Sequence, residues 1–94
     1  MPKIKPTPKE ESRRMVRSLM AANQELYDVG DDLLAAKAGI STRTLSNRRN
    51  EPETFTLEEL QNVAKCLHWT PVQMASVVLG RPLTSKEVKD FILL

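Results

Sequence analysis

The chain has 94 residues, a formal net charge of +2, and a composition 40% hydrophobic and 28% charged. That length suits one domain whose core closes without disulfides, and it leaves little room for a second. The single cysteine, Cys66, and the single histidine, His68, exclude an internal bridge and a zinc site built on them, so no metal and no cofactor are expected.

Helix signals are dense. Residues 1–6 precede the first of them and read as a flexible basic tail. Thr7, Pro8 and Glu10 form a capping box with proline at the first helical position, which predicts a helix to about Tyr27. Its apolar stripe runs through Met15, Val16, Leu19, Met20, Asn23, Leu26 and Tyr27. A second helix is predicted over 31–38, with Gly30 at its cap, Asp31 and Asp32 favourable to the dipole, and Val29 and Leu34 as a hydrophobic staple. It stops at Gly39. A third begins with Ser41 as cap and continues to about Arg49, and residues 50–55, with Pro52, read as a loop. Thr56 with Glu59, Thr70 with Gln73, and Thr84 with Glu87 are three more boxes. The helix after Thr56 points Leu57, Leu60, Val63, Ala64 and Leu67 inward, and the one after Thr70 stops at Gly80. The fold class expected is all-α, a compact bundle of five to six short helices.

Charge is segregated along the chain. Residues 1–18 carry six basic and two acidic groups, residues 19–36 carry four acidic and no basic groups, and residues 37–50 carry four basic and no acidic groups. The last block contains "AGISTRTLSNRRN". If only Gly39 and Ile40 join the second and third helices, the turn needs a residue at positive φ and the helices cross steeply. Ala35 supplies the small residue at the crossing, and Leu45 is the one good apolar residue on the inner face of the third helix. Arg43, Asn47 and Asn50 lie roughly opposite it and Thr42 and Ser46 towards the exposed N-terminal flank, and Thr42, Arg43, Ser46 and Asn47 have the lengths and hydrogen-bonding groups that suit base edges in a major groove.

Residues 31–70, "DDLLAAKAGISTRTLSNRRNEPETFTLEELQNVAKCLHWT", resemble the helix-turn-helix core of the lambda-repressor and Cro class, also called Xre-type, found in phage, plasmid and bacterial regulators. The motif is Ala35, then Gly39, Ile40 and Ser41, with Leu45 six residues after Gly39. The resemblance implies a lambda-repressor-like fold with the helix-turn-helix at its centre. It further implies that Ser41 meets a phosphate, that Thr42, Arg43 and Asn47 reach base edges, and that Lys37 and Asn50 touch the DNA backbone. Arg48 and Arg49 complete the expected phosphate set. Three positions depart from the family: Asp31 stands where glutamine often touches phosphate, and Arg48 replaces an apolar residue. Arg49 stands where glutamate commonly pairs with an arginine of the first helix; Gln24 or Glu25 would serve in reverse. The tail "MPKIKPTPK" has the composition of an arm that enters a minor groove.

These readings divide the chain into the tail 1–6, a helix-turn-helix DNA-binding domain 7–80 and a C-terminal helix 81–94. That helix ends in "VKDFILL", whose Val88, Phe91, Ile92 and Leu94 either fold back on the domain or make the symmetric contact of a dimer. The partners expected are double-stranded DNA and a second copy of the chain, with no membrane and no small-molecule ligand. No stretch resembles a secretory signal and no apolar run approaches the ~18 residues of a membrane span, so a cytoplasmic regulator, a repressor, is expected. The alternative is a protein-interaction or antitoxin-like module on the same fold, docking through its apolar C-terminus or through Glu51 and Glu53. An enzyme is not expected: Cys66 and His68, two apart on a helix, do not face each other, and the three glycines make no phosphate loop.

Overall fold

Five of the helices start at a hydroxyl that takes up an otherwise orphaned backbone amide. Thr7, Ser41, Thr56, Thr70 and Thr84 accept from the amides three residues on at 3.1–3.2 Å. At Thr56, Thr70 and Thr84 the Glu or Gln side chain three residues on returns the bond to the cap amide. The computed structural model describes residues 7–93, and the side chains of residues 7–90. Its elements are α1 (Pro8–Leu26), α2 (Asp31–Ala38), α3 (Thr42–Asn50), a 3-10 turn (Pro52–Thr54), α4 (Leu57–Cys66), α5 (Pro71–Leu79) and α6 (Ser85–Leu93). No strand occurs among the described residues, and the chain is an all-α bundle. No helix among them is long and apolar enough to cross a membrane. The tail 1–6 and Leu94 lie outside the described residues, as do the side chains of Phe91 and Ile92.

Helix ends follow a single geometry. After α1, α2, α4 and α5 the chain turns through a residue at positive φ: Asp28 (53°), Gly39 (77°), His68 (53°) and Gly80 (75°). In each case the next amide bonds back to a carbonyl five residues earlier, as in Val29 to Gln24, Ile40 to Ala35, Trp69 to Ala64 and Arg81 to Ser76. At Asp28 and His68 a side chain occupies a conformation that favours glycine. The two rings at these ends, Tyr27 and His68, meet with centroids 4.4 Å apart and planes tilted by 44°.

One core joins the helices. Val16 and Met20 of α1, Leu34, Ala35 and Ala38 of α2, Leu45 of α3, Val63 of α4, and Phe55, Leu67 and Trp69 beside it are buried together. Asn23, the polar member of the α1 stripe, is also buried; its Nδ2 donates to the Leu67 carbonyl at 2.8 Å, satisfying an acceptor at the end of α4. Beyond Asn23, the last turn of α1 contributes no member to the buried core. Leu26 is 71% and Tyr27 45% exposed, contrary to the stripe read from the sequence. Leu57, placed inward by the same reading, is 70% exposed, since it lies in the first turn of α4 and off the stripe centred on Leu60, Val63 and Leu67. Residues 52–54, read as loop, are the 3-10 turn, closed by Thr54 Oγ1 donating to the Glu51 carbonyl.

The junction of α2 and α3 fixes where α3 lies. Gly39 at φ 77° reverses the chain, and Ile40 drops onto the core. Space around Gly39 is open, with no atom within 4 Å of an added Cβ, so a side chain there meets only the backbone penalty. Gly39→Ala should lower stability by about 1–2 kcal/mol, measured as a shift in urea midpoint at unchanged slope. A loss far above that would mean the turn is held by packing that the open space does not allow.

Candidate nucleic-acid interface

α3 is nine residues long and buries one side chain, Leu45, completely. At about 100° per residue, Arg43, Asn47 and Asn50 fall on the side away from Leu45, with Thr42 and Ser46 beside them. All five are exposed. The structure therefore brings the four residues read as base contacts, Thr42, Arg43, Ser46 and Asn47, onto one outward surface with Asn50 at its end. Ser41 caps the helix, accepting from the Thr44 amide at 3.1 Å and donating to Thr44 Oγ1 at 2.9 Å.

Arg48 and Arg49 take other partners, each with a side chain under one-third exposed. Arg48 Nε donates to Glu59 Oε1 at 3.1 Å; the same oxygen accepts from the Thr56 amide, so one carboxylate caps α4 and holds α3. Arg48 thus reaches from α3 to the first turn of α4. Arg49 Nη2 donates to Asp31 Oδ1 at 2.6 Å and to Gln24 Oε1 at 3.1 Å, and Gln24 Nε2 donates to Asp31 Oδ1 at 2.8 Å. The reversed pairing anticipated for Arg49 thus runs to Gln24, and also to Asp31. Hydrogen bonding from Arg49, then from Gln24, holds the Asp31 carboxyl below its ordinary value. This network joins the end of α3 to α1 and to the start of α2, and it balances the Asp31 carboxylate.

Lys37 is exposed in the last turn of α2 and lines a shallow recess of about 280 Å3 with Asn62, Lys65 and Cys66. Lys65 is a second cation beside it. Nothing in the one-dimensional pattern signals that neighbour, because it depends on how α4 crosses α2. Asn50 lines a cleft against α1. The acidic pair after α3, itself exposed, faces basic groups of α1: Arg13 Nε donates to Glu53 Oε1 at 3.1 Å, its Nη2 bonds the same carboxylate, Lys9 lies 3.6 Å from Glu53, and Arg13 lies 3.9 Å from Glu51. Among the described residues no cluster of three or more His, Cys, Asp or Glu is placed to hold a metal ion.

Comparison of the chain with family models, with curated proteins and with solved structures finds no match.

The Arg13 hydrogen bonds, followed by a backbone amide, pull the Glu53 carboxyl from 4.5 to about 2. A carboxyl depressed in the folded state lends stability that is complete above its unfolded value and lost as pH falls through its folded one. The contribution of this pair is therefore whole above about pH 4.5 and declines toward pH 2. Urea midpoints of Glu53→Gln and the parent chain should differ at pH 6 and converge across that window; curves that stay parallel to pH 2 would remove the pair from the stability of the 3-10 turn.

Proposed function

We propose that the chain is a sequence-specific double-stranded DNA-binding regulator, a repressor that occupies a promoter and reads the major groove with α3. One observation carries the reading: a short helix, set outward by a glycine turn, presents Thr42, Arg43, Ser46, Asn47 and Asn50 to solvent while Leu45 is its one fully buried side chain. A helix with that much unpartnered hydrogen-bonding capacity on one face, and with its remaining arginines tied to the scaffold, is organised for a polar ligand surface. Arg43 matches guanine O6 and N7, Asn47 matches adenine N6 and N7, and the Thr42 methyl suits thymine. Lys37, Ser41 and Asn50 flank these residues as backbone contacts. Arg48 and Arg49 contribute chiefly by holding α3 at its angle, and add to phosphate binding only through the part of their charge that Glu59 and Asp31 leave free.

The reading includes a homodimer acting in the cytoplasm, with α6 supplying the contact through Val88 and the residues Phe91, Ile92 and Leu94. Val78 and Leu79, near the end of α5, are also exposed apolar residues, 73% and 53%. Two copies of α3 about 34 Å apart would call for a near-palindromic site. The same apolar residues favour a second reading, a protein-interaction or antitoxin-like module. Of the two carboxylates in that reading, Glu53 is engaged by Arg13 and Lys9, while Glu51, 3.9 Å from Arg13 and 59% exposed, stays open to a partner.

Selection of bound duplexes from a random library tests the proposal, and two variants sharpen it. Arg43→Ala should cost about 1–3 kcal/mol on the selected site and relax preference at one base pair, whereas Lys37→Ala should weaken all sequences alike. Equal losses on selected and random duplexes for Arg43→Ala would remove it from base reading. Uniformly weak, sequence-indifferent binding by the parent chain would favour the protein-interaction reading.

A further inference from the structure

Beside the C-terminal end of α3 lies a cleft of about 230 Å3 lined by Glu10, Arg13, Arg14 and Arg17 of α1 and by Asn50. We infer that this cleft takes a phosphodiester group of the DNA backbone just outside the base pairs that α3 reads, with Arg14 and Arg17 as its cationic walls. The inference rests on the DNA-binding reading above and adds a contact that α3 does not itself supply.

Arg13, Arg48, Arg49 and Arg81 are each spent on a carboxylate. Arg14 and Arg17 are exposed, and among the described residues neither is in an ion pair. They stand three residues apart on α1, a separation of about 5–6 Å between Cβ atoms, so both guanidinium forks can address one phosphate or two in succession. Asn50 gives the cleft its direction. It continues the row of Arg43 and Asn47, about 10 Å along the helix axis from Arg43 and about 4.5 Å from Asn47. A strand whose bases meet Arg43 and Asn47 therefore brings its backbone to the mouth of the cleft as it leaves the groove. Arg13 forms part of the wall, with its charge already balanced by Glu53. Glu10, four residues before Arg14, is the one carboxylate lining the cleft and opposes an entering anion.

Binding of the full chain to a selected duplex and to a random duplex, each followed across a salt series, tests this. Arg14→Ala with Arg17→Ala should reduce the slope of log K against log salt by about 1.8, the value for two lost phosphate contacts, and weaken both duplexes by the same factor. Arg14→Lys with Arg17→Lys should keep the parent slope. Glu10→Gln should tighten both duplexes, a sign that damage to the fold does not produce, so the test survives if the alanine pair fails to fold. Trimming the selected duplex to the base pairs read by α3 should erase the difference between the parent and the alanine pair. A parent chain that prefers one sequence while the alanine pair keeps its slope overturns the cleft alone. A parent chain indifferent to sequence overturns the reading of α3 itself.

Discussion

A helix of nine residues that buries only Leu45 has little of its own to hold it in place. Segments this short are marginal in isolation, and one fully buried leucine contributes about 1.5–3 kcal/mol before the cost of ordering the chain. The rest of the hold comes from its two consecutive arginines. Arg48 reaches α4 through Glu59, and Arg49 reaches α1 and α2 through Gln24 and Asp31. Exposed ion pairs contribute about 0–1 kcal/mol each, so their importance lies in direction: they pin the end of α3 from two sides and fix the angle at which its polar face meets solvent. The outward face is free for a ligand because the inward face is tied down by charge where apolar contact runs out.

This division also accounts for the uneven charge along the chain. The acidic block 19–36 lends Asp31 to Arg49, and the acidic residues after α3 turn to Arg13 and Lys9. Basic residues separated in sequence are thereby sorted into two kinds, those that brace one helix against another and those that remain available. Arg14, Arg17, Lys37 and Arg43 are all exposed and belong to the second kind. A net charge of +2 conceals this sorting, since it counts the bracing pairs and the available cations alike.

Much of the architecture was legible because its signals are local. Hydroxyl caps, the boxes at Thr56, Thr70 and Thr84, and the glycine turns at Gly39 and Gly80 act within four or five residues, and helix boundaries follow them closely. The ends of α1 and α4 carried no such signal, because Asp28 and His68 do the work of a glycine. Leu26 and Leu57 were read as core from periodicity alone, which says which face a residue occupies and nothing of how far along a helix the buried core extends. At the site, the row from Thr42 to Asn50 was visible as a pattern of polar side chains opposite Leu45. The engagement of Arg48 with Glu59, the neighbour of Lys37 and the cleft beside Asn50 depend on helix crossings, and no spacing rule within one segment encodes them.

Glu59 belongs at once to the opening turn of α4 and to the far end of α3, through a single oxygen that serves Thr56 and Arg48. Fraying of either element there breaks a bond that the other shares, so local opening of α3 at that end is coupled to the start of α4. Backbone amides late in α3 should then share the protection of the α4 start, as members of one cooperative unit. Such shared rigidity means that the polar face meets a ligand already set, with little ordering entropy left to lose on contact.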